Sequence, residues 1–201
     1  MTAAKATAAK NADPAVLKDA DIREPLFLYL EERYGKVRFI EEKVTGKARA
    51  DVVMVLPDKL CGIEIKSDAD TYVRLADQVK YYDKYYDENY IVAGSKHAMH
   101  VAKHVPDYWG IITVELIKGR VDFYRVREAQ PNPKAKLKQK LSLLWKSELA
   151  HIQAKNGMPK YTNKSKKFIG EKLIEKCLRR FCMRQSAKSF LKEIIHFCNK
   201  G

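Results

Sequence analysis

The sequence predicts an α/β fold, a mixed β-sheet flanked by helices, followed by an all-α C-terminal extension. Three observations carry this. Short apolar runs bounded by turn signals alternate with stretches of helical periodicity over residues 15–130. Three of these runs follow one another with only short turns between them, whereas a fourth follows a helix. The sheet must therefore combine antiparallel hairpins with a parallel crossover. Beyond Gln130-Pro131-Asn132-Pro133 the pattern becomes lysine-rich with leucines at helical spacing. The expected organisation is a disordered leader over 1–14, a core over 15–130 and a basic helical extension over 131–201.

Taken in order, Ile22, Leu26, Tyr29 and Leu30 recur at helical spacing and Gly35 ends a helix over about 20–34. Proline suits a first turn, so Pro25 sets Glu24 near the start of that helix. Residues 37–43 alternate as a strand, and Thr45-Gly46-Lys47 is a turn. Residues 49–56 and 60–66 are apolar strands joined by the turn signal Pro57-Asp58. Asp70-Thr71 caps a long helix to about residue 87, with Tyr72, Leu75, Val79, Tyr82 and Tyr86 as its apolar stripe. Residues 90–94 form a short buried strand, and residues 95–105 a helix stopped by Pro106. Residues 110–115 and 121–125 form a hairpin around Lys118-Gly119. The extension carries three predicted helices, over 134–156, 165–182 and 186–198.

The chemistry concentrates in the second and third strands. With Pro57 and Asp58 as the central turn residues, Asp51 lies directly across the hairpin from Glu64. Facing residues have Cβ atoms roughly 4.5–5.5 Å apart on one face, and Lys66, two residues on, shares that face. Two facing carboxylates repel, and each resists burial as an anion. A divalent cation removes both problems, and Mg²⁺ takes one or two carboxylates while keeping several waters. A lysine beside them can orient a water and stabilise charge on a phosphoryl oxygen. The plain alternative is a solvated strand face on which Lys66 neutralises Asp51 or Glu64.

In this order and spacing the pattern resembles the PD-(D/E)XK nuclease superfamily. Asp51 matches its first acid, Glu64 its second, Lys66 its lysine and Glu24 its helix acid; Ala50 stands where the name has proline. Gln78-Val79-Lys80-Tyr81-Tyr82 looks like the Gln-x-x-x-Tyr motif of the RecB-like branch, with Gln78 and Tyr82 supporting the site. The resemblance covers about residues 20–127 and implies a restriction-endonuclease-like αβββαβ core. It further implies a nuclease that uses Mg²⁺ or Mn²⁺, held by Asp51, Glu64 and the backbone carbonyl of Ile65, and that hydrolyses phosphodiester bonds to leave a 5′-phosphate. Residues 149–175 loosely resemble a SAP-type helix–extended loop–helix DNA-binding module.

The charge agrees with a polyanion partner. Residues 1–131 carry 21 Lys+Arg and 21 Asp+Glu, and residues 132–201 carry 18 and 4, so the whole excess of +14 sits in the last third. DNA is the expected partner, RNA satisfying the same charge. Lys160, Lys164, Lys166, Lys167, Arg179 and Arg180 are the candidate phosphate contacts. The alternatives are a lysine-rich face kept for solubility, or a helical cap on the core or a homodimer surface. For the whole chain, the alternatives to a nuclease are a non-catalytic nucleic-acid-binding module and a structural subunit of a repair or defence assembly.

Other constellations weigh less. His97, His100 and His104 would share one helical face, but no acid lies among them, and a partly buried histidine face is the simpler reading. Asp68 and Asp70 are near enough to Glu64 in sequence to be extra ligands, capping being simpler for Asp70. The tyrosines at 81, 82, 85 and 86 are credited mostly to packing. Cys61, Cys177, Cys182 and Cys198 lack zinc spacing and read as buried reduced thiols, which suits a cytoplasmic location. No membrane association is expected, since neither an 18-residue apolar run nor a signal-peptide pattern occurs.

Overall fold

Residues 38–66 run as a meander because each turn is built for it. The computed structural model of the chain describes residues 17–182, with side chains through Leu178. Strand β1 (Arg38–Thr45) pairs antiparallel with β2 (Ala48–Val55) around Gly46, whose φ of 69° supplies the left-handed step a tight hairpin needs. Strand β3 (Leu60–Lys66) returns through Pro57-Asp58, with the Leu56 N–H bonded to the Lys59 carbonyl at 3.0 Å. The register is Val52 opposite Ile63 and Val55 opposite Leu60, the one the turn signal predicts.

Helix α2 (Leu75–Tyr85) then crosses to β4 (Glu88–Gly94), parallel to β3, and β5 (Gly110–Ile117) lies parallel to β4. Strand β6 (Arg120–Arg127) closes the order by a hairpin at Lys118 and Gly119, with φ of 50° and 78°. The result is a six-stranded mixed sheet in the order β1-β2-β3-β4-β5-β6, flanked by helices.

Strand alternation sends successive side chains to opposite faces and so makes two cores. Val52, Met54, Ile63, Ile65, Val92 and Ile112 pack under helix α1 (Asp19–Tyr34), against Ile22, Leu26 and Leu30. Val53, Val55, Leu60, Ile91 and Ile111 pack on the other face, against Leu75 and Tyr82 of α2, Tyr86 just past its end, and Trp109. Glu64 and Lys66 have the parity of this second face, and Ala50 packs there too, so the alternation of β2 slips at Asp51.

Several boundaries differ from the sequence expectation. Helix α1 starts at Asp19, with Asp21 accepting the Lys18 N–H at 2.9 Å, so Pro25 falls in the second turn rather than the first. Helix α2 begins at Leu75, because Asp70 gives its carboxylate to Ser67, at 2.9 Å from the N–H and 2.6 Å from the hydroxyl, and caps a turn instead. Residues 95–105 split into the short α3 (Ser95–Ala98) and a 3₁₀ turn (Val101–Lys103).

The predicted helix over 134–156 is two helices, α4 (Leu137–Ser142) and α5 (Lys146–Lys155). Trp145 is extended at the start of α5, and Glu148 caps its N–H. That break lets Leu141, Leu144, Leu149 and Ile152 meet Ile169 and Leu173 of α6 (Lys166–Cys182) in a third core.

The segment read as a linker is tied to the core. Asn132 is buried, and its side-chain amide donates to the carbonyls of Asp83 (2.9 Å) and Tyr86 (2.7 Å), capping the end of α2. The Lys136 N–H adds a bond to the Lys84 carbonyl at 2.9 Å, and Lys140 pairs with Asp87. Buried Asp83 accepts from Tyr108 (2.6 Å), Trp109 (2.9 Å) and Lys134 (3.2 Å), joining helix, sheet and extension. The predicted leader and the predicted helix over 186–198 lie outside the described residues. Among the described residues no helix is long and apolar enough to cross a membrane.

Candidate active site

The three expected side chains meet where the β2–β3 ladder ends. Below Val52 and Ile63 the strands part, and the Asp51 carboxylate takes over the pairing by accepting the Ile65 N–H at Oδ2, 2.8 Å. The β1–β2 pairing also skips at this point, where Glu42 has a φ of 53°. The Asp51 backbone is held instead by side chains. Its N–H donates to the Tyr82 hydroxyl at 3.1 Å, and its carbonyl accepts from Arg23 Nη1 at 3.1 Å.

Glu64 and Lys66 lie behind Asp51, 0% and 5% exposed. Glu64 Oε1 accepts from Lys66 Nζ at 2.7 Å and from Gln78 Nε2 at 2.5 Å, and Oε2 from the Tyr82 hydroxyl at 2.8 Å. Gln78 Oε1 in turn accepts from Lys66 at 3.1 Å. Gln78 and Tyr82 are one helical turn apart on α2, so a single helix face supplies both supports. Burial, then the neighbouring Glu64 and Asp51 charges, push the Tyr82 phenol well above its ordinary range and keep it a donor.

The Asp51 carboxyl is pushed up to about 7 by burial and by the Glu64 charge, against the pull of the Ile65 N–H and Lys66. Two anions that raise each other's cost in a dry site suit a hard divalent cation. The Ile65 N–H occupies only Oδ2 of Asp51. In an extended strand a residue's N–H and C=O point to the same edge, so the Ile65 carbonyl also faces the gap beside Asp51. Among the described residues no three His, Cys, Asp or Glu side chains cluster as metal ligands. A cation here would rest on Asp51, Glu64 and that carbonyl, with water and phosphate completing its shell. Asp51 offers Oδ1 to such an ion, whereas both oxygens of Glu64 already accept hydrogen bonds, so an ion there would displace one of those donors. The site opens to solvent through a cleft of about 540 Å³, bounded by Asp51, Gln78 and Tyr81 and walled by Lys47, Arg49 and Arg74.

Glu24 does not join this group. Helix α1 packs on the face of the sheet opposite that of Glu64 and Lys66, and Glu24 is exposed. The residue of that helix at the site is its neighbour Arg23, with Asp19 one turn before it near enough to raise the Asp51 carboxyl further. Sequence reading missed both, although Asp19 and Arg23 stand at i and i+4.

Asp68 is committed to α3, accepting the Lys96 N–H at 2.9 Å, and Asp70 to Ser67, so neither is an extra ligand. His97 is buried against the Asp70 carbonyl (3.1 Å), and its ring and that of His104 lie on Tyr72. Tyr82 and Tyr86 are core residues, and Cys61 and Cys177 are buried.

In the extension, α5 and α6 flank the loop 156–165. Lys160 and Lys164 are exposed there and Lys167 in the first turn of α6, and Lys164 lies over the Phe168 ring. Lys166 is instead half-buried, donating to the Ser142 carbonyl at 2.7 Å; burial, then the Lys43 charge, lower its pKa. The side chains of Arg179 and Arg180 lie outside the described residues.

Comparison with curated proteins and with solved structures gives no match. A family model described as bacteriophage P4 protein cII matches residues 26–199, from within α1 to the end of the extension, and the chain belongs to that bacteriophage P4 cII family.

Proposed function

We propose that this chain is a divalent-cation-dependent nuclease acting on DNA, with a PD-(D/E)XK-type site. The carrying observation is Lys66 held between buried Glu64 and Gln78, directly behind a cleft that Asp51 and Gln78 line and that Lys47, Arg49, Arg74 and Asp77 wall. Asp51, Glu64 and the Ile65 carbonyl would hold Mg²⁺ or Mn²⁺. When bound, the ion supplies Lewis-acid polarisation of a phosphoryl oxygen and a more acidic water. Lys66 donates a positive charge and hydrogen bonds to the attacking oxygen or the phosphoryl group. Gln78 and Tyr82 fix Glu64 and so hold Lys66 in place. The phage name of the family supports a mobile-element or phage-defence setting, and the buried Cys61 thiol supports a reducing cytoplasm.

A second reading, a nucleic-acid-binding module without catalysis, is favoured by one observation. Glu64 is already satisfied by three donors and Lys66 by two acceptors, so the cluster is self-consistent without an ion. Digestion of plasmid and single-stranded DNA with Mg²⁺, Mn²⁺ or EDTA separates the two. Lys66→Ala, checked for folding by circular dichroism, is expected to cut about 10²–10³-fold more slowly while keeping its Mn²⁺ affinity. No metal-dependent cleavage by the wild type on any of these substrates would leave the binding module.

The loop lysines are proposed to hold DNA phosphates. Deleting residues 132–201 would also remove the Asn132 cap from α2 and expose its carbonyls, so the informative variant is Lys160→Ser/Lys164→Ser/Lys167→Ser. Its log K against log salt slope should flatten by about 0.9 for each phosphate that the loop no longer neutralises. An unchanged slope would remove this loop from the interface and return the solubility, cap and dimer readings.

A further inference from the structure

Three carboxylates and a main-chain carbonyl beside the candidate site all point at one side chain. Arg23 Nε meets Asp19 Oδ2 at 2.7 Å, Nη1 meets Glu41 Oε2 at 3.0 Å and the Asp51 carbonyl at 3.1 Å, and Nη2 meets Glu42 Oε1 at 2.5 Å. These oxygens come from α1, β1 and β2, so the guanidinium joins three elements. Its side chain is 14% exposed, beneath acids that are 40–48% exposed. Oxygens of this type are also what a divalent cation takes. Here they meet a planar fork whose donors match several carboxylates at once, and whose charge repels a divalent ion at the same oxygens. Arg49 adds a second cation on Glu42, at 2.5 Å.

The same guanidinium does a second job. Asp51 sits where the ladder lapses toward both neighbouring strands, so its carbonyl has no strand partner to fix it. Arg23 supplies that missing donor, as Tyr82 supplies the missing acceptor for its N–H.

We propose that Arg23 is a positioning residue for Asp51 and occupies, as a built-in cation, the place of a second divalent ion, so that the site takes one metal per chain. The inference rests on the nuclease reading above. Arg23 touches no reacting atom in this scheme; it acts through the Asp51 backbone and through the acids it neutralises.

The test is Mn²⁺ stoichiometry and affinity, by titration calorimetry and by the electron paramagnetic resonance of free Mn²⁺, on the full chain. The wild type should bind one Mn²⁺, and Asp51→Asn should lose it. Arg23→Gln takes this cation from Asp19 and Glu41 and leaves Glu42 with Arg49 alone, and should bind a second, weaker Mn²⁺. Arg23→Lys keeps the charge without the fork, and should stay at one ion bound about 10–100-fold more weakly, the usual effect of losing an outer-shell partner of a metal ligand. Glu41→Gln/Glu42→Gln needs no change at Arg23, and should leave the wild-type stoichiometry at one. Two ions in the wild type, a drop in stoichiometry in Glu41→Gln/Glu42→Gln, or a folded Arg23→Gln that still binds one ion at wild-type affinity would each overturn the inference while leaving the nuclease reading intact. No Mn²⁺ bound to the wild type at all would overturn that reading, and this inference with it.

Discussion

Glu64→Ala is expected to abolish metal-dependent cleavage and also to lower stability by about 3–5 kcal/mol, because it strands a buried ammonium. Glu64 is fully buried and is the anionic partner of Lys66, itself only 5% exposed. It is also the acceptor for Gln78 and for the Tyr82 hydroxyl. Alanine leaves these donors facing a cavity. Glu64→Gln keeps the shape and one acceptor oxygen, so it should lose the same cleavage with a smaller drop in stability. Urea denaturation beside a plasmid-nicking assay reads both quantities. An alanine variant as stable as the wild type would mean that Lys66 does not depend on Glu64 for its burial.

In the metal-free protein the contribution of Asp51 to stability should fall as pH rises from about 4 to about 7, opposite to the usual behaviour of a paired carboxylate. The cause is Asp51, whose carboxyl stands at about 7 in the fold against 3.8 when unperturbed. Between these values the folded chain keeps a proton that the unfolded chain has released. That contribution therefore falls with pH across that window and levels off above it. The scale is a few kcal/mol, since each tenfold gain in proton affinity is worth ~1.4 kcal/mol. Asp51→Asn should remove this slope and be more stable than the wild type at pH 8 without metal. Mg²⁺ should stabilise the wild type more at pH 8 than at pH 5.5, since it competes with that proton, and should leave Asp51→Asn unmoved. Melting curves of wild type and Asp51→Asn at the two pH values, with and without Mg²⁺, decide it; a gap between the two proteins that does not shift in favour of Asp51→Asn from pH 5 to 7.5 without metal would contradict the burial of Asp51.

The sheet was legible in the sequence, and so was the face that Glu64 and Lys66 share, because both follow from the period-two rule and one turn. Fixing Pro57-Asp58 as the turn fixes Val52 opposite Ile63, but the pair expected next, Asp51 opposite Glu64, does not form, and Asp51 turns its carboxylate to the Ile65 N–H instead. What was not legible depends on which way a helix faces. Glu24 was chosen by its nearness to Pro25, but the layer to which α1 belongs is set by packing of Ile22, Leu26 and Leu30, which turns Arg23 rather than Glu24 toward Asp51. Cap residues misled for a related reason. Asp70 has the chemistry of a helix cap and uses it on Ser67. The leucine spacing over 134–156 reads as one helix, yet a local cap at Trp145 wins because the broken form lets both halves reach α6.

The wiring of Asn132 has a consequence for the order in which the protein matures during synthesis. The helix that carries Gln78 and Tyr82 ends in carbonyls that residues 132–136 satisfy. While those residues are still inside the ribosome, the nascent sheet can form but its site helix has a bare end that frays easily. The supports of Glu64 and Lys66 thus become firm only as the basic third of the chain emerges. Under the proposed function, the candidate site would thus stay loose until the part proposed to grip DNA has been made.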